Sequence, residues 1–445
     1  TYRLLRDWKN GRAYSSALMR LGSPSFAAIT EVWQKFCCTK HMTGQGMGHF
    51  KFAAGLLGSF ALVWASLSPA SANNDFANWL SALESEALGK GLNAGVVQSA
   101  LDGVVPIERV IELDRRQPEF SLTFSKYMSG AISDQRVAKG KELLIKHKAL
   151  LDRVSAKFGG QPRFLVSFWG LETNFGQYFG AFPLVGALAT LAHDERRAAF
   201  FRAQLLAALK IMSDGDIPVD VKSSWAGAMG NFQFIPTTYL DSAIDGDGDG
   251  RRDLWGSLDD AFSSAANYLS RSGWSPDLTW GREVNLPEGF DFALAGQDNR
   301  KTLAQWQQLG VRKAGGQNLP TVDIEGSILV PSGYRGPAFI VYANFDAIMT
   351  WNRSIFYAIA VGHLSDRFVG KGGLVKQPPA DDKPMSRDQS TELQVLLTAR
   401  GFDTGGADGV IGPMSRKAIR AYQISVGLPP DSYPSLKLLD RLRSQ

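Results

Sequence analysis

The chain has 445 residues, with 48 Lys and Arg against 43 Asp and Glu, for a formal net charge of +5. A hydrophobic content of 44% and a charged content of 20% are typical of globular domains and exclude a largely disordered or collagen-like chain. Two cysteines and five histidines argue against a disulfide framework and a zinc cluster, and the length predicts two to three domains.

An uncharged apolar run, FAAGLLGSFALVWASL, occupies residues 52–67. Lys51 precedes it and the small-residue sequence SPASA follows, which is the pattern of a secretory signal peptide. We predict a signal peptide at 47–72 with cleavage after Ala72, and we interpret residues 1–46 as a non-native upstream extension. The alternative is a retained membrane anchor, for which the run is short. Both cysteines precede the run, so the sequence does not predict a lipoprotein.

The excess of positive over negative charge lies entirely in this N-terminal part of the chain. Residues 1–72 contain eight basic and two acidic side chains, which leaves residues 73–445 with 40 basic and 41 acidic ones. A net charge near zero removes the main argument for nucleic acid as a partner.

Beyond residue 72 the pattern is mostly helical. Apolar residues recur at three- and four-residue spacing to about residue 275, including 76–87, 137–158 and 195–212. Residues 278–345 contain short β-branched and aromatic runs between Gly and Pro, which predicts a small strand-rich insert. A helix is predicted again at 352–369.

The C-terminal part divides into a linker and a compact tail. Residues 370–388 are rich in Gly, Pro and charge and lack periodicity, as linkers do. Residues 389–445 alternate helical faces with turn residues, which predicts a small helical module in which nothing looks catalytic.

Glu172 is the first candidate functional residue. It lies in FWGLETNFG, among Phe168, Trp169 and Phe175. Aromatic surroundings disfavour the charged carboxylate and raise its pKa, so Glu172 could act as a general acid near neutral pH. The alternatives are a helix-surface glutamate or one that pairs with Arg163.

The second candidate is the segment SSWAGAMGNFQFIPTTY at 223–239. Its glycines and Pro236 interrupt any long helix and would let the backbone approach a ligand closely. Ser224 and Gln233 offer hydrogen bonds that suit sugar hydroxyls and acetamido groups. The alternative is a tightly packed helix–turn–helix.

The third candidate is the acidic run DGDGDG at 245–250. Asp245, Asp247 and Asp249 take positions 1, 3 and 5 of an EF-hand-like loop, and Gly250 takes position 6. Position 12 is Gly256, so a closing carboxylate would come later, from Asp259 or Asp260. The alternative is an Asp/Gly turn without metal.

A fourth segment, WNRSIFY at 351–357, begins the returning helix. Asn352 could cap that helix or contact a ligand, and capping is the simpler interpretation of the segment in isolation.

Taken together, these segments resemble the lytic transglycosylases of the membrane-bound lytic murein transglycosylase B type. The motifs are FWGLETNFG, SWAGAMGNFQFIPTTY, DGDGDGRRDLW, SAANYLSRSGW and WNRS-x-x-Y, in that order. The tail resembles a peptidoglycan-binding domain through LQ-x-x-L, DG-x-x-G and AIRAYQ.

The resemblance implies a mainly α fold: a lysozyme-like helical catalytic domain at 73–369 with an EF-hand-like loop and a small β insert. The linker at 370–388 and a helical peptidoglycan-binding module at 389–445 complete it. The acid/base would be Glu172, with Trp351 as an aromatic platform. The resemblance also implies a substrate groove formed by Tyr127, Ser224, Gln233, Tyr268, Asn352 and Tyr357. A structural calcium ion, with no organic cofactor, would be held by Asp245, Asp247, Asp249, Arg251 and Asp260.

The implied reaction cleaves the β-1,4 bond between N-acetylmuramic acid and N-acetylglucosamine and leaves 1,6-anhydromuramic acid ends. The alternatives are a hydrolytic muramidase and an inactive wall-binding protein. We expect a periplasmic monomer that binds peptidoglycan glycan strands and no nucleic acid. Proteins of cell-wall synthesis or division are candidate partners.

Overall fold

The computed structural model describes residues 69–116 and 122–444, and the predicted apolar run at 52–67 lies outside these residues. The contacts divide the chain after Asn73, within the first described helix, and the compact unit that contains the elements below starts at Asn74. No helix in the described ranges is long and apolar enough to cross a membrane.

In the described residues, ten helices precede the loop at 245–250, called the acidic loop below, the next helix begins at Leu258, and two short strands lie among them. The helices are α1 Pro69–Gly89, α2 Ala94–Leu101, α3 Glu108–Arg116, α4 Phe124–Ala131, α5 Asp134–Lys146, α6 Lys148–Phe158, α7 Pro162–Thr173, α8 Leu184–His193, α9 Ala198–Ser213, α10 Pro236–Ser242 and α11 Leu258–Arg271. The strands are β1 Phe182–Pro183 and β2 Lys222–Ser223, which pair antiparallel.

The core of this helical domain is built around α7 and α8. The sequence of α8, LVGALATLAH, is apolar on all sides, and nine of its ten residues are buried. A helix without a polar face is stable only at the centre of a domain. Helix α9 packs along α8 and α14 packs along α7, so one continuous core extends from Phe76 to Phe368. The mainly helical fold predicted from the sequence is therefore confirmed.

The predicted helix at 137–158 is wrong in one respect, because the chain breaks it at His147. His147 has φ −103° and ψ 20° and ends α5, while α6 begins at the next residue. Its ring packs edge-on against Trp169 of α7, with the centroids 5.9 Å apart. This tertiary contact accompanies a break that no Gly or Pro signals.

The insert is a five-stranded antiparallel sheet with its own small core. Its strand order is β4-β6-β7-β3-β5, with β3 Gly281–Asn285, β4 Arg300–Thr302, β5 Arg312–Lys313, β6 Glu325–Leu329 and β7 Ala338–Val341. Helix α12, Leu303–Gln308, follows β4 directly. Trp306 and Tyr342 are fully buried in this second core.

The last two helices of the helical domain follow the sheet: α13 Ala343–Trp351 and α14 Ile355–Phe368. The predicted strand-rich insert ends earlier than residue 345, because in its last apolar run, AFIVYANF, β7 ends at Val341 and α13 begins at Ala343. Residues of both helices face α7, which brings the WNRSIFY segment to Glu172.

The tail forms three helices around a third core: α15 Arg387–Ala399, α16 Pro413–Ser425 and α17 Leu436–Arg443. A capping box at Ser386 and Gln389 starts α15. Buried Gln394 donates to the carbonyl of Val410 at 3.1 Å and to Ser415 Oγ at 3.0 Å, and it accepts from the Gly409 N–H at 2.8 Å. The glutamine of the LQ-x-x-L motif thus secures the turn of the DG-x-x-G motif.

The segment between the domains contains no helix or strand before Arg387, yet it contacts both of its neighbours. Glu283 of β3 accepts from the N–H groups of Val375 and Lys376 at 2.8 and 2.7 Å. Asp381 bonds Arg335 of the insert at 2.6 Å and Lys437 of the tail at 2.8 Å.

The tail also bonds the insert directly. Asp431 Oδ2 accepts from the Tyr334 N–H at 2.8 Å, and Arg420 donates to the carbonyl of Ala295 at 3.2 Å. Asp431 is 9% exposed. The tail is therefore docked on the sheet insert by hydrogen bonds that are partly withdrawn from water.

Candidate functional site

Glu172 lies in the last turn of α7. Pro162 sits in the first turn of that helix, where a missing N–H costs nothing, and Asn174 ends it in the left-handed region with φ 52°. Phe175 is also left-handed, with φ 63°. Two consecutive non-glycine residues in this region are strained, and the sharp turn stops the helix at Thr173, one residue after Glu172.

The carboxyl of Glu172 is held by two donors that lie far away in sequence. Trp351 Nε1 donates to Oε1 at 3.0 Å, and the hydroxyl of Tyr357 donates to the same oxygen. Burial raises the pKa of Glu172 from its ordinary 4.5 to about 7, although the two hydrogen bonds lower it. No second carboxyl of the described residues contributes to this shift. Glu172 is therefore a carboxylic acid that can hold or release a proton near neutral pH.

Tyr357 remains a neutral donor in this arrangement. Burial raises its pKa well above 10, and the nearby charge of Glu172 and hydrogen bond to Glu172 add to the effect. Its ring lies 6.2 Å from that of Phe168, so the phenol is fixed against the helix that carries Glu172.

Aromatic rings surround Trp351 and shield the carboxyl. Phe168, Tyr268 and Phe234 lie 4.4, 5.2 and 5.5 Å from it, measured between ring centroids. Tyr268 is only partly buried, and its hydroxyl reaches the Thr350 carbonyl at 3.4 Å. Phe168 and Phe234 are buried, so within this cluster the partly exposed rings of Trp351 and Tyr268 are the ones that can meet a sugar ring.

The segment 223–239 forms a looped wall beside Glu172. Antiparallel pairing of Phe182 with Ser223 anchors its start. Ser224 Oγ accepts from the N–H groups of Ala226 and Ala228 at 3.3 and 3.0 Å, which leaves its hydroxyl proton for a ligand. The loop, and not a continuous helix–turn–helix, is the conformation observed up to α10.

Gln233 is held in an unusual backbone conformation with φ 50°. Its amide nitrogen donates to the carbonyl of Gly230 at 3.2 Å and reaches that of Phe179 at 3.4 Å. A residue held in a strained backbone conformation and bonded through its side chain is a candidate for a positioned binding group.

Two further predicted groove residues lie at the margin of this site. Tyr127 on α4 packs on Phe356, with the ring centroids 5.8 Å apart, and its charge would act on the pKa of Tyr357. Asn352 is exposed, and its side chain accepts from the Ser354 N–H at 3.0 Å. The interpretation of Asn352 as the cap of α14 is wrong, because Ser354 is the N-cap.

The sequence reasoning missed Thr173 and Asn231. Thr173 Oγ1 donates to the Asn231 carbonyl at 2.9 Å and accepts from the Gly176 N–H at 3.0 Å. Asn231 Oδ1 accepts from Trp169 Nε1 at 2.7 Å. The one available signal was a polar residue, Asn231, flanked by small and aromatic residues in GNFQF, because buried polar groups need partners.

The three acidic side chains of the loop at 245–250 converge. Carboxylate oxygens of Asp245, Asp247 and Asp249 lie within 4.8 Å of one another. The loop also folds on its own backbone, since Asp245 accepts from the N–H groups of Gly248 and Gly250 at 2.7 and 2.9 Å. Oxygen donors of this kind fit a hard cation such as calcium.

The two candidates for a closing ligand lie elsewhere. Asp259 pairs with Arg153. Asp260 is fully buried, and its oxygens accept from the N–H groups of Gly246, Asp247 and Asp253 at 2.7, 3.3 and 2.7 Å. Asp260 thus closes the loop through backbone amides and is absent from the carboxylate cluster of the described residues. The backbone N–H of Arg251 donates to Asp249 at 2.8 Å.

Two family models match this chain. A model described as a transglycosylase SLT domain matches residues 75–366, and a peptidoglycan binding domain model matches residues 386–442.

Solved structures and a curated relative are similar over much of the chain. SltB3 of Pseudomonas aeruginosa, solved with NAG-anhNAM-pentapeptide and with NAG-NAM-pentapeptide, is 48% identical with a TM-score of 0.81, over 83% of this chain and 99% of SltB3. Escherichia coli Slt35, solved with calcium, is 27% identical with a TM-score of 0.57, over 65% and 92% of the two chains. Membrane-bound lytic murein transglycosylase B of E. coli K12 is 29% identical over 297 residues, which are 62% of this chain and 78% of that protein.

Proposed function

Since the chain belongs to the transglycosylase SLT-domain family and is a lytic transglycosylase of peptidoglycan, we propose that Glu172 serves alone as its acid and base. The resemblance identified from the motifs is confirmed by these relatives. The enzyme cleaves the β-1,4 bond between N-acetylmuramic acid and N-acetylglucosamine and forms 1,6-anhydro ends. The observation that carries the proposal is the pKa of Glu172 near 7 without a contribution from a second carboxyl of the described residues.

The reaction needs one proton to leave Glu172 and one to return. Protonated Glu172 donates to the glycosidic oxygen, and the bond from that oxygen to C1 of the muramic acid breaks. The 2-acetamido group of the same sugar stabilises the positive charge at C1. Glu172, now a carboxylate, takes the proton of the C6 hydroxyl, whose oxygen bonds to C1. No water is consumed, and Glu172 ends the cycle protonated as it began.

The two hydrogen-bond donors to Glu172 stabilise the carboxylate that forms after it has given up its proton. Trp351 and Tyr357 both bond the carboxyl, and such bonds strengthen when the acceptor is charged. The transient carboxylate is thereby stabilised without a cationic partner that would keep Glu172 ionised at rest. Burial sets the pKa high, and the two donors keep it from rising further.

The groove residues would orient the sugar. We assign the acetamido group and the muramic acid ring to Ser224, Gln233 and Asn352. Tyr127, Tyr268 and Tyr357 would line the groove with aromatic faces. Fixed geometry of this kind lowers the barrier by several kcal/mol, about 7 to 11 at its best.

The proposal is tested with purified peptidoglycan and mass spectrometry of the products. The wild type should release 1,6-anhydromuropeptides, and Glu172→Gln should release none. Glu195→Gln, a change of the same type at an exposed position, is the matched control and should keep full activity. Reducing ends in place of anhydro ends would favour a hydrolytic muramidase. Unchanged lysis by Glu172→Gln would remove the acid/base assignment.

We assign a structural calcium ion to the loop at 245–250, because three carboxylates converge there. Asp245, Asp247 and Asp249 would hold the ion, with the backbone carbonyl of Arg251 as a further ligand. The ion would neutralise the repulsion among the carboxylates and stiffen the loop. Melting temperature measured after chelation and after calcium readdition tests this, and an unchanged value would contradict a tight site.

We propose that the protein is exported to the periplasm by a signal peptide at 47–72 and is not a lipoprotein. The proposal is supported by the compact unit that begins at Asn74, two residues after the proposed cleavage site. Mass spectrometry of protein from the periplasmic fraction should give Asn73 as the first residue. Size-exclusion chromatography with light scattering should show a monomer.

A further inference from the structure

Asn231 lies where three parts of the catalytic domain meet. The residue is 1% exposed. Its Oδ1 accepts from Trp169 Nε1 of α7 at 2.7 Å. Its Nδ2 donates to the carbonyls of Leu254 and Trp255 at 2.9 and 3.1 Å. One side chain therefore joins the helix of Glu172 to the segment that follows the acidic loop.

The backbone of Asn231 makes the same two connections. Its N–H donates to the Leu254 carbonyl at 2.9 Å, and its carbonyl accepts from Thr173 Oγ1 at 2.9 Å. Thr173 is the neighbour of Glu172 in sequence. The fit is tight, because a Cβ added at Gly176 would lie 2.7 Å from Asn231 Oδ1.

A chain of hydrogen bonds leads from the acidic loop to this point. Buried Asp260 bonds the N–H groups of Gly246 and Asp247 inside the loop and that of Asp253 after it. Asp253 in turn accepts from the Trp255 N–H at 2.9 Å. The acidic loop is thus linked, through Asp260 and Asp253, to the segment whose carbonyls Asn231 holds.

The other end of the connection is the glycan groove. Gln233 follows Asn231 by two residues and has φ 50°. A strained conformation persists only where its surroundings hold it. Because Asn231 fixes both this loop and the end of α7, it sets the distance between Gln233 and Glu172.

We propose that Asn231 is a positioning residue that couples cation binding at the acidic loop to glycan binding at Glu172. A bound cation would fix the three carboxylates and, through the hydrogen bonds of Asp260 and Asp253, residues 253–255. Because Asn231 bonds this segment, it would in turn fix the residues of the groove. A glycan that binds an already ordered groove loses less conformational freedom on binding. The coupling rests on the proposed function, since it requires the groove to bind the glycan.

The experiment measures calcium affinity by titration calorimetry with and without NAG-anhNAM-pentapeptide, a product that is not turned over. Coupled sites typically change each other's affinity by about 5- to 150-fold. We expect the wild type to bind calcium at least about fivefold more tightly with the product present, and the product to gain the same factor from calcium. Asn231→Ala should reduce both factors to about one while each ligand still binds alone.

The matched control is Asn344→Ala. Asn344 is also fully buried and bonds only backbone groups, those of Ser275 and Leu278. This variant loses a comparable set of bonds and should keep the coupling. Trp169→Phe removes one of the same bonds at Asn231 and keeps a ring, so it should weaken the coupling if Asn231→Ala does not fold.

Each outcome decides the proposal. Independent binding of the two ligands in the wild type overturns it, as does full coupling in both Asn231→Ala and Trp169→Phe. Loss of coupling in Asn344→Ala would show a general effect of lower stability and also overturn it. If the product does not bind, the proposed function fails with it. Binding of both ligands without coupling leaves the proposed function intact.

Discussion

Replacing Glu172 by Gln should stabilise the protein at alkaline pH while it abolishes catalysis. The folded state raises the pKa of Glu172 from 4.5 to about 7, so folding opposes its ionisation. Below pH 4.5 the carboxyl is protonated in both states and costs nothing. As pH rises toward 7 the unfolded state releases its proton first, and stability is lost. A shift of this size corresponds to about 3 kcal/mol once pH exceeds 7.

The assay compares the free energies of unfolding of the wild type and Glu172→Gln, obtained with urea at pH 5 and pH 8. Linkage predicts that the advantage of the variant grows by about 2.5 kcal/mol between these values. Because only the change in unfolding free energy between the two pH values is compared, any pH-independent effect of the introduced amide on stability cancels. Glu195→Gln serves as control and should follow the wild type. Parallel curves for the wild type and Glu172→Gln would refute the reasoning.

Three further outcomes are expected. Trp351→Phe keeps a ring but removes a donor that lowers the pKa of the catalytic carboxyl. The pH at which kcat/KM falls above neutrality should therefore rise by about one unit. An unchanged or lower value for that pH would contradict this. Gly176→Ala and Gly91→Ala both place a Cβ atom on a residue with positive φ, but only the Cβ at Gly176 would contact other atoms, the nearest at 2.7 Å. Thermal unfolding should therefore show that Gly176→Ala lowers the free energy of unfolding by about 1 to 3 kcal/mol more than Gly91→Ala does. Asp431→Ala removes the acceptor of the Tyr334 N–H and should speed protease cleavage within 370–388; equal cleavage rates would show that Asp431 does not hold the tail.

The raised pKa of Glu172 was predicted from its aromatic neighbours in sequence, and these account for only part of its observed surroundings. The sequence shows aromatic neighbours within FWGLETNFG, and Phe168 does contribute to the site. The two groups that bond the carboxyl, Trp351 and Tyr357, lie 179 and 185 residues further on. Local sequence can therefore suggest a raised pKa, but it cannot identify donors that only the packing of α13 and α14 against α7 brings into place.

Helix boundaries likewise depend partly on local sequence and partly on tertiary contacts. Periodicity predicts the apolar face at 137–158, because spacing is a property of the sequence itself. The break at His147 accompanies a contact with Trp169, and no residue in ELLIKHKALL signals it. Asn352 and Ser354 are both good caps by residue type, so only the structure separates them.

Side chains that bond backbone groups were the hardest to predict. The spacing of DGDGDG predicts three converging carboxylates, and they converge. It does not reveal that Asp260 uses its oxygens on three loop amides. Asn231 lies in a motif that the sequence singled out, but its partners are Trp169, Leu254 and Trp255, at least 23 residues away. Such roles depend on where distant carbonyls and donors meet.

The two hydrogen bonds that Glu172 receives from Trp351 and Tyr357 end on the same oxygen, Oε1. The two oxygens of the carboxyl are therefore inequivalent before any sugar arrives. With Oε1 occupied as an acceptor, we expect Oε2 to carry the exchangeable proton and to present it to the glycosidic bond. The same atom would then receive the proton from the C6 hydroxyl. The glycosidic oxygen and then the C6 hydroxyl would therefore approach the same carboxyl oxygen. On this account the muramic acid ring moves during a turnover, while the side chain of Glu172 stays in place.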